Sequence, residues 1–205
     1  DAVERGPLVL LPGSREGELR RHLPLFRDVA AALASHKAVE ELVIPTLPVL
    51  VERIGRAVAD WPVPVRIVAE RSERAVLYQR AVMALAVSGT VPLELALAQV
   101  PMVVNYVMDG PQRGIYARLG RPAVSLPNII LGQNPVPELV QDVPDAGALI
   151  AAARGLLDNK KARQEQIDCF GELVALMERG TDEFPRQDPA DRVLAHWDQR
   201  ASRGV

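Results

Sequence analysis

A single cysteine, Cys169, leaves this sequence without an internal disulfide, and its setting in a helical pattern makes a reducing compartment the simplest expectation. Long apolar runs are missing as well: no stretch approaches the roughly 20 uninterrupted apolar residues of a membrane span. Neither sign of charge dominates, with 24 basic against 26 acidic residues and a formal net charge of -2, so there is no global electrostatic footprint for nucleic acid. The three histidines, His22, His36 and His196, are scattered with no carboxylate or thiol at ligand spacing; they are expected to be solvated helix-face residues, and no metal site is expected. Absent too are G-x-G-x-x-G and G-x-x-x-x-G-K-S/T, which weakens dinucleotide-binding and NTPase readings, and the D-x-D carboxylates of a metal-dependent transferase. No internal repeat, heptad array or low-complexity segment occurs. The opening residues DAVERGP carry neither an initiator methionine nor a signal-peptide pattern, so the expectation is a piece of a longer protein.

What remains is an ordinary globular composition, 48% hydrophobic and 24% charged over 205 residues, enough for one full core and a small helical appendage. Short apolar runs alternate with helical patterns up to about residue 140, the signature of a parallel sheet with crossover helices. The predicted strands are 8–11, 41–45, 65–69, 82–87, 102–106 and 123–126. Their lack of polar alternation predicts burial on both faces. Pro24 is expected to start the first helix or kink an earlier turn, and Ser72 to cap the third. From Pro137 onward only helices are predicted, PELVQ among them, with Asp145 and Asp188 as caps and Gly180 as a stop. The fold class is therefore α/β: a doubly wound, Rossmann-like parallel sheet of order 3-2-1-4-5-6 with a carboxyl-terminal helical tail. The expected boundaries are a residual linker at 1–7, a Rossmann-like lobe at 8–144 and the helical tail at 145–205.

In such a sheet, ligands bind at the carboxyl ends of the strands flanking the switch point, here the first and fourth. The first ends in LPGSREGEL. Gly13 and Ser14 lie in a tight turn, and Arg15 follows where a helix begins; it either meets an anion together with the helix amides or pairs with Glu16 or Glu18 on the surface. The fourth ends in SGTVPLE. There Gly89 permits close approach, Ser88 and Thr90 offer hydroxyls, and Pro92 sits in the first turn of the next helix. These residues fit a phosphate, with Glu94 one turn further placed to accept from sugar hydroxyls; a capped helix with a dipole-favoured glutamate is the competing reading. The third piece, VSLPNIILGQNPVPELVQ, presents the Asn128 amide, with Glu138 and Gln141 predicted on one face of a short helix opened by Pro137.

In this order and spacing, LLPGSREGEL, SGTVPLELALAQVPMVVNY and VSLPNIILGQNPVPELVQ resemble the carboxyl-terminal half of bacterial lipid-A-disaccharide synthase, over about residues 8 to 180. The resemblance implies one lobe of a GT-B glycosyltransferase fold. It implies transfer of 2,3-diacylglucosamine from UDP-2,3-diacylglucosamine to 2,3-diacylglucosamine 1-phosphate, in a cytoplasmic enzyme peripheral on the inner membrane, with no cofactor and no metal. By the same resemblance Arg15 binds the diphosphate and stabilises the leaving UDP, Ser88, Gly89 and Thr90 form the phosphate turn, and Glu94 binds the ribose. Asn128 lies near the diphosphate or sugar, and Glu138 and Gln141 complete the PELVQ segment. The general base is implied to lie in an amino-terminal lobe with no counterpart in this sequence, so this chain alone is expected to be inactive. A homodimer through the helical tail is a further expected partner. Arg113, Arg118 and Arg121 with Ile115, Tyr116 and Leu119 form either an amphipathic patch facing anionic lipid or a solvated loop. The alternatives are another UDP-sugar enzyme of this architecture, such as an epimerase or a peptidoglycan-type transferase, and a noncatalytic nucleotide-binding module.

Overall fold

A computed structural model describes residues 1–179. Six strands form one all-parallel sheet: β1 (Gly6–Leu11), β2 (Val39–Pro45), β3 (Arg66–Val68), β4 (Met83–Val87), β5 (Met102–Val107) and β6 (Glu138–Gln141), in the order β3-β2-β1-β4-β5-β6. The strand order reverses between β1 and β4, whose side chains are buried throughout, as their unbroken apolar composition requires. Helices α1 (Glu16–Leu33), α2 (Val51–Val58), α3 (Arg71–Arg80) and α4 (Val91–Leu97) make the crossovers, with a single 3-10 turn at Pro48–Leu50 before α2. Helices α5 (Gly110–Arg118) and α6 (Leu126–Leu131) lie between β5 and β6, and α7 (Ala146–Asp158) and α8 (Lys160–Arg179) follow the sheet.

Two cores result, one on each face. Phe26, Val29 and Leu33 of α1 pack with Leu8 and Leu10 of β1 and with Leu149, Ala153 and Leu156 of α7. On the other face Val9, Ala84 and Val104 pack with Leu95 and Ala96 of α4 and with Phe170 and Leu173 of α8. The described part of the helical tail is thus core to the lobe, α7 covering one face and α8 the other. Residues 1–7, expected as a linker, are tied in as well: Gly6 opens β1, Ala2 is buried, and the Val3 carbonyl accepts from Arg163 Nη2 at 3.2 Å. The Arg163 guanidinium also donates from Nη1 to the Leu156 and Leu157 carbonyls, at 2.8 and 2.5 Å, and so closes the carboxyl end of α7.

Several sequence expectations need correction. The sixth strand is not 123–126 but Glu138–Gln141, the stretch expected to be helical. Ser125 instead stands at the N-cap of α6, and the amides of Val124 and Ser125 donate to the Glu138 carboxylate, leaving no ladder for a strand there. Pro137 suits the start of an edge strand, because its carbonyl accepts from Val104 and it needs no amide partner. Glu138 and Gln141, three apart on a strand, therefore point to opposite faces. Pro24 lies well inside α1, and the cap of α3 is Glu70, not Ser72. His22 is not solvated but fully buried. Asp145 is the N-cap of α7, its side chain accepting from Ala148 N. Asp188 and Gly180 lie outside the described residues.

Candidate functional site

The turn after β1 is built by Gly13, whose φ of +100° and near contact with the Glu18 side chain exclude a Cβ. Ser14 and Arg15 follow, both exposed, with Arg15 at the N-cap of α1. The Glu18 carboxylate reaches back over this turn. Its Oε2 accepts from Ser14 N at 3.1 Å and Arg15 N at 3.2 Å, and its Oε1 pairs with Arg15 Nη1 at 3.0 Å. Partial burial works to raise the Glu18 carboxyl, but the amides of Arg15 and Ser14 and the Arg15 side chain outweigh it and hold it below the usual carboxylate range. The pairing of Arg15 with Glu18 is thus present in the structure, on an arginine side chain that remains 86% exposed.

Across the switch point, Ser88 donates its hydroxyl to the Val124 carbonyl at 2.7 Å, which ties the β4 turn to the segment before α6. Gly89 has φ +149° and open space on its Cβ side. Thr90 takes the N-cap position of α4 without a side-chain cap bond, so its hydroxyl is exposed and available. Glu94 stands half-exposed, its Oε1 3.6 Å from Arg74 Nε. Tyr78 is buried beside this pair; burial first, and then the Glu94 charge, pushes its hydroxyl up to about 12, so it is a neutral donor at any ordinary pH.

These groups enclose one cleft of about 450 Å³ between the ends of β1 and β4. It is lined by Gly13, Ser14, Arg15, Ser88, Gly89, Thr90 and Glu94, with Leu11, Leu47, Val124 and Leu126 as apolar walls. Seven of the ten expected site residues therefore converge. Glu18, expected only as a surface partner of Arg15, lines the same cleft, as do Arg74 and Tyr78, which were not singled out from the sequence. Glu18 was legible as the third residue after a helix cap; Arg74 and Tyr78 arrive from α3, which no local pattern connects to the turn.

Asn128 and Glu138 line a neighbouring cavity of about 500 Å³ with Arg113, Tyr116 and Arg121. The Asn128 amide is fully engaged: Nδ2 donates to the Val136 carbonyl at 2.8 Å and to Glu138 Oε1 at 2.7 Å, while Oδ1 accepts from Val136 N at 3.0 Å. Glu138 also accepts from Val124 N, Ser125 N and the Ser125 hydroxyl. Together they form a clasp that fixes the segment carrying Val124 and Leu126, the cleft's far wall. Gln141 belongs to neither cavity; its side chain exchanges hydrogen bonds with the Asp145 main chain. Among the described residues no group of three or more His, Cys, Asp or Glu side chains is placed to hold a metal ion.

The fold is Rossmann-like, of the GT-B glycosyltransferase type. The chain superposes on WaaG, a glycosyltransferase involved in lipopolysaccharide biosynthesis, with a TM-score of 0.59 over 88% of this chain and 44% of that one, at 16% identity. In sequence the chain is 37% identical over 188 residues to the lipid-A-disaccharide synthase of Rhodopseudomonas palustris strain BisB18, covering 91% of this chain and 47% of the relative. It is 36% identical over 198 residues to the enzyme of the same name from Nitrobacter hamburgensis, covering 96% of this chain and 49% of the relative. The chain spans about half the length of the curated relatives it matches. The family model for lipid-A-disaccharide synthetase matches residues 3–187, and on that match and these identities the chain belongs to the lipid-A-disaccharide synthetase family.

Proposed function

We propose that this chain is the donor-binding lobe of a lipid-A-disaccharide synthase, a hexosyltransferase that moves 2,3-diacylglucosamine from its UDP derivative to 2,3-diacylglucosamine 1-phosphate. The observation that carries this reading is the convergence of the Gly13–Arg15 and Ser88–Thr90 turns on one cleft at the switch point of the sheet. In the reaction the acceptor hydroxyl oxygen bonds the anomeric carbon, the bond from that carbon to the diphosphate breaks, and the acceptor proton passes to a base outside this chain. The electron pair leaves with UDP. Arg15 and the hydroxyls of Ser14 and Thr90 meet the charge that develops on the diphosphate, Ser88 holds the β4 turn through its bond to the Val124 carbonyl, and Glu94 and Tyr78 are placed for the ribose. Asn128 and Glu138 act through the wall they hold, and Gln141 through the start of α7.

The experiment is titration calorimetry of the chain with UDP and with ADP. We expect weak, uridine-selective binding unchanged by EDTA; equal heats for UDP and ADP would sink the donor reading.

Acyl-bearing substrates make contact with a bilayer surface part of the same proposal, in a cytoplasmic enzyme peripheral on the inner membrane. No helix among the described residues is long and apolar enough to cross a membrane. Supporting a peripheral contact, α5 buries none of its residues, and Ile115 and Leu119 stand 58% and 66% exposed beside Arg113, Arg118 and Arg121. The reading also keeps a homodimer through the helical tail, where Met177 is exposed near the end of α8; sedimentation velocity reports it.

A further inference from the structure

The donors this cleft offers an anion are not idle. Both amides at the head of α1 and the Arg15 guanidinium are bonded to Glu18, and the two kinds of bond differ in character. The amide bonds from Ser14 and Arg15 converge on one oxygen of a carboxylate whose side chain is only 12% exposed. The guanidinium bond runs from a single nitrogen of a side chain that is 86% exposed. A carboxylate that completes a helix start is strongly held by backbone donors, whereas an exposed ion pair contributes little and exchanges readily. A diphosphate entering between the two turns offers Arg15 more charge than Glu18 does, in the bidentate geometry a guanidinium favours.

We propose that Glu18 is a positioning residue that tunes the donor affinity of this cleft: it keeps the turn through the Ser14 and Arg15 amides and holds Arg15 in an exchangeable ion pair, which the ligand diphosphate takes over. This rests on the donor-lobe reading and goes beyond it, because it makes the α1 amides a fixed part of the scaffold and leaves Arg15 as the mobile anion contact. It also gives the fold a cost that works against binding: each diphosphate must draw Arg15 away from an internal carboxylate, which stays on the turn amides, and then sit near its charge.

The test is UDP titration of the chain and of its Glu18→Gln variant, with thermal unfolding of both. The glutamine keeps an acceptor for the turn but has no charge to compete for Arg15. The expected result is UDP binding about two- to fivefold tighter with a lower melting temperature, since exposed pairs of this kind are worth only that much. Opposite signs for stability and affinity are what a purely structural cap would not give. In the parent chain, nuclear magnetic resonance should show the Arg15 side-chain Nε signal moving with UDP while the Ser14 and Arg15 backbone amide signals hold, a readout that does not depend on the variant folding. Equal or weaker binding by a folded Glu18→Gln variant, or UDP-induced movement of both backbone amides with the Arg15 side chain unchanged, would overturn the proposal while the parent's uridine selectivity still stands. Absence of UDP binding to both parent and variant would overturn the donor reading and this inference with it.

Discussion

At the scale of single residues, the most informative is His22. It is fully buried on α1; its Nε2 accepts from Val107 N at 3.0 Å, which leaves Nδ1 to donate to the Glu18 carbonyl at 2.8 Å. The neutral ring satisfies both bonds and a charged ring cannot, because the acceptor nitrogen would gain a proton. Burial accordingly pushes the imidazole below its ordinary value, despite the Glu18 carbonyl that favours charge. A base whose folded value is depressed stabilises the fold fully above its unfolded value of about 6.5 and loses that contribution as pH falls toward the folded one. Urea midpoints should therefore drop between about pH 7 and pH 5 in the parent, and the drop should be shallower in His22→Phe. Parallel pH profiles for the two proteins would show that His22 does not titrate in the fold. A lone histidine within a helical pattern does not reveal this role, since its partner on β5 lies 85 residues away.

At the scale of elements, β6 shows how a four-residue segment escapes pattern reading. ELVQ is too short to separate a period of 2 from one of 3.6, and a preceding proline suits the first turn of a helix as well as an edge strand. The choice is made by β5, whose Val104 amide finds the Pro137 carbonyl, and by the Glu138 carboxylate, which gathers the amides of Val124 and Ser125. Glu138→Ala would strip an acceptor from four donors at once: those two amides, the Ser125 hydroxyl and the Asn128 amide. We expect a loss on the order of 3 kcal/mol in unfolding free energy, with Glu138→Gln recovering part of it. Chemical denaturation measures both. A loss below about 0.5 kcal/mol for the alanine variant, within the ordinary range of surface substitutions, would mean that the clasp does not hold the segment.

At the scale of the molecule, the carboxyl ends of the strands gather the proposed donor contacts, and the proposal assigns the acceptor site and base to residues outside this chain. Orienting two substrates across a cleft is worth several kcal/mol of a barrier, on the order of 7 to 11 in favourable cases, and an acceptor site and base are needed for it. We expect this chain by itself to bind UDP yet form no disaccharide from UDP-2,3-diacylglucosamine and 2,3-diacylglucosamine 1-phosphate. Turnover by the purified chain, abolished by Arg15→Ala to exclude a contaminant, would contradict that division of labour. The helix expected at DPADRVLAHWDQR, with its apolar Val193, Leu194 and Trp197, lies outside the described residues.

The sequence by itself determined the parallel sheet, the order of its first five strands and the two turns at the switch point. Strands buried on both faces are written as unbroken apolar runs, and tight turns as glycine beside hydroxyl residues. Both are local signals. Tertiary structure alone decided that Arg74 and Tyr78 join the cleft and that Asn128 and Glu138 hold its wall. It also decided that α7 and α8 cover opposite faces of the same sheet. The reason is the same in each case: a buried polar group must find a partner, and that partner is fixed by what the folded sheet brings near, not by what lies next in the chain.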